Sequence, residues 1–438
     1  MDTVPFQHRR ARLLAHMNAS GGGVAVIPTA PERVRNRDTT YPYRADSYFH
    51  YLTGFPEPEA VLVLVAGPHD DGPRSILFCR EKDVEKEIWD GFRYGPDGAR
   101  AAFGFEAAYP IAEFDGRLAE LLADQPALWF SLGHDAAWDA RIGAALNAVR
   151  LQARAGRQAP AAMHDVRVFL DGMRRVKDEH EIALMRKAAA IAGAAHRRAM
   201  RCTAPGKYEY EIEAEFLHEF RRQGSQYPAY APIVAGGANA CVLHYVGNDQ
   251  PLRDGDLLLI DAGCEVDGYA SDITRTFPVN GRFSGPQADV YDLVLDAQTA
   301  AIAAIRPGAT FLAPHDAAVR VLAQGMIDLK LLEGSVDGVI ESEAYKRFYM
   351  HRTGHWLGLD VHDAGAYRNG EEWCVLAPGM TLTVEPGCYI RPAADVPAAF
   401  HNIGVRIEDD ALVTAGGCEL LTADTPKTIV DIEQLMRK

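Results

Sequence analysis

Residues 255–279, GDLLLIDAGCEVDGYASDITRTFPV, predict a β-hairpin that carries two aspartates. The apolar run 257–260 is typical of a buried strand, which here ends at an acidic residue, Asp261. Asp267 and Gly268 form the residue pair that favours a tight two-residue turn, and a second strand is predicted over 274–279.

This turn sets the positions of the two carboxylates. It places Asp261 opposite Thr274, and because side chains alternate along a strand, Asp261 and Asp272 fall on one face as diagonal neighbours roughly 7–8 Å apart. Two unpaired carboxylates there would repel each other, and divalent cations between them would remove the repulsion. The hairpin alone leaves the ordinary explanation open, since a strand aspartate is more often solvated or hydrogen-bonded than a metal ligand.

The composition describes an ordinary globular chain with an acidic balance. Its 438 residues predict two domains. The net charge of −15 opposes nucleic-acid binding, and no apolar run approaches the roughly 20 residues of a membrane span. The seven cysteines are scattered without a C-x-x-C pair, which is typical of free thiols in a reducing compartment. The N-terminal residues lack the apolar core of a signal peptide, so a cytoplasmic protein is predicted.

The pattern of elements predicts a domain boundary near residue 172. Before it, helical and strand-like stretches alternate as in an α/β domain, with strands over 23–27, 60–66, 75–79 and 127–132. After it, Asp178 and Glu181 form a capping box that opens a long helix. The chain continues with a helix over 208–223, a strand carrying His244 and the aspartate hairpin. Two helical stretches within 287–332 and a final set of strands come after the hairpin. The predicted domains are 1–172 and 173–438.

Three later segments add metal-type residues on strands and loops. MHRTGHWLGLDVHDAG holds His351, His355 and His362, and TLTVEPGCYI is an apolar strand interrupted by Glu385. In GVRIEDDALVT the alternation places Arg406 and Glu408 on one face. Each segment has a purely structural explanation by itself. Together with the aspartate hairpin, however, they make four unusual placements of polar residues in one domain, which indicates a shared site.

The candidate ligands are Asp261, Asp272, His355, Glu385 and Glu408. This oxygen-rich set with one imidazole and no thiolate suits Mn²⁺, with Co²⁺ and Zn²⁺ as alternatives. Five protein ligands exceed a tetrahedral structural zinc and fit two divalent ions about 3.5–4 Å apart that share bridging carboxylates and a bridging water. Such a water loses its proton near neutral pH, so the set predicts metal-assisted hydrolysis.

These residues resemble a known family. The series IDAG, SDITRTF, GHWLGLDVHD, EPG and RIEDD is similar to the M24 metallopeptidases of the pita-bread fold. YPYRADSYFHYLTGFPEPEAVLVL and EKEIWDGFRYGPDGA are similar to the N-terminal region of aminopeptidase P. The resemblance implies an α/β N-terminal domain followed by an α+β pita-bread catalytic domain.

The resemblance also implies a role for each matching position. Asp261 is implied as terminal ligand of one metal, His355 and Glu385 as ligands of the other, and Asp272 and Glu408 as bridges. Glu385 is also implied as the proton carrier. The implied peptide- and oxyanion-binding residues are His244 and His362, and the implied residues of the pocket for proline are His351, Tyr389 and Arg406.

The function implied is that of a peptidase acting before proline. It releases the N-terminal residue from peptides with proline second, by attack of a hydroxide that bridges two metals. A prolidase restricted to Xaa-Pro dipeptides is the nearest alternative, and a pita-bread protein that binds peptides without catalysis is a second. Family members commonly form dimers or tetramers. Arg352 replaces the small residue usual beside the pocket histidine, which leaves the preferred peptide length open.

Overall fold

The structure is a computed structural model that describes residues 3–67, 72 and 74–437. The chain divides into two compact units, Met1–Asp171 and Gly172–Lys438, and each has a hydrophobic core of its own. No helix among the described residues is both long and apolar enough to cross a membrane.

The first unit is a mixed β-sheet with helices. Its helices are α1 (Val4–Ala19), α2 (Ser47–Thr53), α3 (Val84–Asp90), α4 (Gly95–Phe103), α5 (Phe114–Leu122), α6 (Ala136–Arg150) and α7 (Val166–Arg175), the last of which ends in the second unit. Its strands are β1 (Gly23–Pro28), β2 (Val34–Asn36), β3 (Thr39–Thr40), β4 (Val61–Ala66), β5 (Ser75–Cys79), β6 (Ala107–Pro110), β7 (Ala127–Trp129) and β8 (Ala162–His164). The main sheet has the order β6-β5-β4-β1-β7-β8, while β2 and β3 form a separate hairpin. Strands β1, β4 and β5 are almost wholly buried, which explains their continuous apolar sequences.

The second unit packs helices against several small antiparallel sheets. Its helices are α8 (Glu179–Cys202), α9 (Glu209–Arg222), α10 (Gly285–Ala304), α11 (Ala313–Asp328), α12 (Val336–Glu341) and α13 (Ile429–Met436). The capping box predicted from Asp178 and Glu181 begins α8, since each side chain bonds the backbone N–H of the other.

The strands of the second unit are short. They are β9 (Tyr227–Pro228), β10 (Ile233–Gly236), β11 (Leu257–Asp261), β12 (Cys264–Val266), β13 (Tyr269–Ala270), β14 (Thr274–Pro278), β15 (Arg368–Asn369), β16 (Glu372–Trp373), β17 (Thr381–Val384), β18 (Gly387–Ile390), β19 (Ile403–Arg406), β20 (Asp409–Thr414) and β21 (Gly417–Leu420). The sheets have the orders β10-β11-β14, β13-β12-β9, β17-β20-β21, β18-β19 and β15-β16. Several of the predicted site residues lie at the ends of these strands: Asp261 ends β11, and Glu385 directly follows β17.

The aspartate hairpin has the predicted register, because Asp261 pairs with Thr274. Asp267 and Gly268 have φ values of 48° and 82°, the two positive angles that a tight hairpin turn requires. The hairpin is divided, however: β11 and β14 belong to one sheet, and β12 and β13 to another.

Gly263 lies at the division of this hairpin, where the two chain segments approach closely. A Cβ atom at Gly263 would stand 1.7 Å from the carbonyl oxygen of Ser271, which is backbone and cannot rotate away. We therefore expect Gly263→Ala to lower the free energy of unfolding by at least about 1–3 kcal/mol, the usual cost of overpacking. The matched control is Gly285→Ala, since an added Cβ there has no atom within 4 Å. Equal denaturation midpoints for the two variants would contradict this account.

Two local predictions were wrong. The segment carrying His244 is not a strand: a 3₁₀ helix, Gly237–Cys241, is followed by a turn that contains the histidine. The strand predicted over 127–132 ends at Trp129. In both places apolar residues, such as Leu132 and Val246, are exposed on irregular backbone, and a short apolar run in the sequence does not distinguish such backbone from a strand.

Candidate metal centre

A cavity of about 820 Å³ in the second unit brings the predicted site residues together. Its lining includes Asp261, Asp272, His355, Glu385, Glu408, His244, His351, His362 and Arg406. These are all the metal ligands and catalytic residues predicted from the sequence. Tyr389, the remaining predicted substrate-binding residue, contacts the lining through its hydroxyl, 2.8 Å from Nε2 of His351.

Three of the predicted ligands form a compact group. Asp272, His355 and Glu408 each offer a ligand atom, and these atoms lie within 4.8 Å of one another. Asp272 lies between β13 and β14, His355 in a loop and Glu408 between β19 and β20, so the first and the last are 136 positions apart. Such a grouping of carboxylates and an imidazole is a candidate site for a divalent cation.

The His355 ring is oriented for metal binding. Its Nδ1 lies 2.9 Å from the carbonyl oxygen of Trp356, and because a carbonyl only accepts, Nδ1 must carry the proton. Nε2 then faces the carboxylates, 3.4 Å from Asp272 and 3.8 Å from Glu385. Backbone bonding of one ring nitrogen while the other faces the site is the usual arrangement of metal-binding histidines.

Asp261 is tied to Asp272 and to a cation. The hydroxyl of Tyr230 lies 2.6 Å from Oδ1 of Asp261 and also hydrogen-bonds Oδ1 of Asp272. A guanidinium nitrogen of Arg406 lies 2.6 Å from the other oxygen of Asp261. The diagonal neighbourhood of the two aspartates predicted from the hairpin is therefore present, with one tyrosine hydroxyl linking them.

Glu385 follows β17 and faces two histidines. Its carboxylate lies 3.8 Å from Nε2 of His355 and 3.7 Å from Nδ1 of His351. Burial raises the pKa of Glu385 to about 7, against the opposing charges of His355 and Arg406. A carboxyl group with such a pKa exchanges a proton near neutral pH.

The carboxylates repel one another. Burial raises the pKa of Glu408 well above its ordinary value, and the charges of Asp272 and Glu385 add to the increase. The pKa of Asp272 is raised by burial and then by the charge of Asp261. Burial disfavours the charged form of His355, but its hydrogen bond to Asp272 and the charge of Glu385 raise its pKa to about 9.

These observations show that the donor set fits divalent cations. The protein places four carboxylates around one cavity, with the guanidinium of Arg406 and the imidazole of His355 directly against them. Divalent cations satisfy such a set, since they relieve the repulsion and use the free oxygens as ligands.

A hydrogen-bonded wall borders this group. Nε2 of His351 lies 2.8 Å from the hydroxyl of Tyr389, to which Arg406 donates over 3.1 Å. Arg406 also donates to Thr274, so its guanidinium is held at three points. Burial, followed by the charge of Arg406, lowers the pKa of His351 to about 4. The wall therefore presents a neutral imidazole and a fixed cation.

The two remaining histidines flank the group. The ring of His362 lies 4.1 Å from that of His355, centroid to centroid, and its pKa is lowered by burial and by the charge of His355. His244 lines the same cavity from an exposed turn. A ring N–H of an imidazole in either place can donate to a substrate carbonyl.

Three supporting residues were not found from the sequence. Tyr230 links the aspartates, Thr274 donates to Glu408 over 2.6 Å, and the buried carboxylate of Asp410 accepts the backbone N–H of Asp272 over 3.1 and 3.2 Å. The sequence gives a weak signal for Thr274 alone, which was predicted opposite Asp261. Tyr230 and Asp410 make contacts between segments that are far apart in the sequence.

Comparison with known proteins fits this geometry. The model of metallopeptidase family M24 matches residues 183–415, and that of the aminopeptidase P N-terminal domain matches residues 6–129. This chain belongs to metallopeptidase family M24. The predicted fold class, an α/β N-terminal domain with a pita-bread catalytic domain, is confirmed for this M24 peptidase.

Relatives of this M24 peptidase match over almost its full length. A Xaa-Pro aminopeptidase of Escherichia coli (strain K12) is 45% identical, covering 98% of this chain and 97% of its own. The structure of a Pseudomonas aeruginosa aminopeptidase is 49% identical, with a TM-score of 0.97, over 100% of this chain and 98% of that one. Aminopeptidase P from E. coli, solved with the inhibitor Pro-Leu, is 44% identical with a TM-score of 0.96, over 100% and 98%. The M24 peptidase is thus a metal-dependent hydrolase.

Proposed function

We propose that this M24 peptidase releases the N-terminal residue from peptides that have proline in second position. The convergence of Asp261, Asp272, His355, Glu385 and Glu408 on one cavity carries the proposal. The full-length similarity to Xaa-Pro aminopeptidases supports the substrate class.

The metal site is proposed to hold two divalent ions, Mn²⁺ in the first place and Co²⁺ or Zn²⁺ as alternatives. Asp272 and Glu408 would bridge the ions, Asp261 would complete one site, and His355 and Glu385 the other. Ions bound there supply a water of lowered pKa as nucleophile and polarise the peptide carbonyl.

The chain's own groups would bind and orient the peptide. The carboxylate of Asp261 attracts the free N-terminal amine, which limits the reaction to one residue at a time. His244 and His362 donate to the scissile carbonyl, where hydrogen bonds aimed at developing charge have a large effect. Glu385 carries the proton to the leaving nitrogen. His351, Tyr389 and Arg406 form the pocket for the proline ring.

A peptide-length series tests this function. The expected result is hydrolysis of Xaa-Pro-Xaa and longer peptides by Mn²⁺-loaded protein, with a much slower reaction when alanine replaces the proline. Cleavage of Xaa-Pro dipeptides alone would establish a prolidase instead. If the metal-loaded protein hydrolysed no Xaa-Pro peptide, a peptide-binding role without catalysis would replace the proposal.

Metal removal gives a separate test of the two-ion site. We expect a chelator to remove the activity, and readdition of Mn²⁺ to restore it as bound metal approaches two ions per chain. Full activity at one ion per chain would contradict the bridging roles of Asp272 and Glu408.

We also propose a location and an assembly for this protein. All seven cysteines are free, which suits a reducing compartment and supports a cytoplasmic protein. A dimer or tetramer is proposed as the working form, to be measured as the molar mass in solution by light scattering.

A further inference from the structure

Two arginines and a tryptophan form a patch on the wall of the active-site cavity. Arg352, Arg368 and Trp373 all line the cavity that holds the carboxylates, and both arginines are exposed. Arg368 and Trp373 are direct partners in the β15–β16 hairpin. These three residues form the arginine–tryptophan patch.

Both guanidinium groups make cation–π contacts with the ring of Trp373. The guanidinium carbon of Arg368 lies 3.9 Å from the centroid of the Trp373 ring, and that of Arg352 lies 5.7 Å from it. Cation–π contacts of this kind restrict the orientations of a guanidinium. Phe311 also stacks on Trp373, with 6.5 Å between the ring centroids.

Neither guanidinium in the patch has an acidic partner among the described residues. Three other exposed arginines of this unit are paired with acidic residues: Arg186 with Glu419, Arg320 with Asp337 and Arg347 with Asp395. The third arginine of the cavity, Arg406, is bound to Asp261 and is unavailable. Burial raises the pKa of Asp316 and the charge of Arg352 lowers it, but the two side chains form no ion pair within 4 Å. The patch thus offers positive charge to a ligand, in a protein of net charge −15.

The cavity therefore carries both signs of charge. Its carboxylates suit metals and an amine, while the patch suits an anion. A guanidinium held on an aromatic face binds a carboxylate through two parallel hydrogen bonds, and arginine is the preferred residue for this geometry. Each further residue of an extended peptide adds roughly 3.3–3.6 Å, so a peptide anchored by its amine at the carboxylates extends towards another part of the wall.

We propose that Arg352, supported by Arg368 and Trp373, binds a substrate carboxylate located beyond the proline and so selects among Xaa-Pro peptides. This inference rests on the proposed function. The carboxylate has two sources: the C-terminus of a tripeptide, or the side chain of an acidic third residue.

Matched substrates test the proposal on the full-length, metal-loaded protein. The first pair is a tripeptide Xaa-Pro-Xaa as free acid and as C-terminal amide. The second pair is an amidated tripeptide with Asp or with Asn in third position. We expect the protein to prefer the carboxylate-bearing member of at least one pair by about tenfold in kcat/KM, through a lower KM, because a charge-assisted bidentate contact exceeds a neutral one by about this factor. The pair that shows the preference identifies the source.

Substitutions then assign the preference to the patch. In Arg352→Ala the preference should fall to near unity, because the carboxylate-bearing member of each pair loses its contact. Arg352→Lys should retain part of the preference, because lysine keeps the charge but loses the planar fork. The matched control is Arg320→Ala, an exposed arginine outside this cavity. The preference should also weaken as salt is added, since the contact is exposed.

The result that would contradict carboxylate selection by the patch differs from the result that would contradict the peptidase function. If the native protein cleaves both members of each pair equally, or if Arg352→Ala slows acids and amides to the same extent, the patch does not select carboxylates, although the peptidase assignment stands. If the native protein cleaves none of these peptides, the proposed function fails and the inference fails with it.

Discussion

Replacing Asp272 or Glu408 with alanine is expected to abolish hydrolysis and metal binding together. Both carboxylates belong to the compact ligand group and are proposed as bridges, so either loss affects both ions. Metal ions contribute several kcal/mol to such reactions, and each 1.36 kcal/mol is a factor of ten in rate, so we expect kcat/KM to fall by about 10³ or more.

The measurements for this pair of variants are the metal content per chain and the rate on an Xaa-Pro-Xaa peptide. Asp296→Ala is the matched control, since this aspartate is exposed on α10 and lies outside the cavity. Removal of one buried carboxylate also relieves repulsion in the metal-free protein, so its thermal stability should not fall with the activity. Two tightly bound metals in either bridge variant would show that the bridging assignment is wrong.

Glu385→Gln is expected to separate proton transfer from metal binding. Glutamine keeps the size of the side chain but does not exchange a proton, and the carboxyl group of Glu385 lies between His351 and His355. General acid–base catalysis contributes roughly 10²–10⁴-fold, so we expect a loss of that size in kcat. Bound metal should decrease less than in the bridge variants, because Glu385 lies outside the compact ligand group.

The Glu385 experiment requires kcat and metal content from the same samples. Glu341→Gln is the control, since this exposed glutamate ends α12. If saturation with Mn²⁺ restored the native rate to Glu385→Gln, the glutamate would act as a ligand only and not as a proton carrier.

Features that depend on contacts between residues close in the sequence were predicted, and features that depend on contacts between distant residues were missed. The turn at Asp267 and Gly268 fixed the pairing of Asp261 with Thr274, because turn geometry and strand alternation act over a few residues. The strand predicted around His244 was wrong, since an apolar run of that length does not by itself distinguish a strand from an irregular segment.

The supporting contacts of the site lie beyond local rules. Asp410 accepts from the backbone of Asp272 across 138 positions, and Tyr230 reaches the same aspartate across 42. Nothing in the segments that contain these residues marks them as partners. Their positions depend on how β9 to β20 assemble, which sequence periodicity does not describe.

The sequence by itself determined the hairpin, the types of ligand residue and the family resemblance, because these depend on local backbone preferences and on the chemistry of single side chains. Only the tertiary structure decided that His355 turns Nε2 to the carboxylates, that Arg406 is bound to Asp261, and that Arg352 lies against Trp373 in the same cavity. The physical reason is that pairing, burial and charge balance are set by neighbours from distant parts of the chain, and these meet only when the chain is folded.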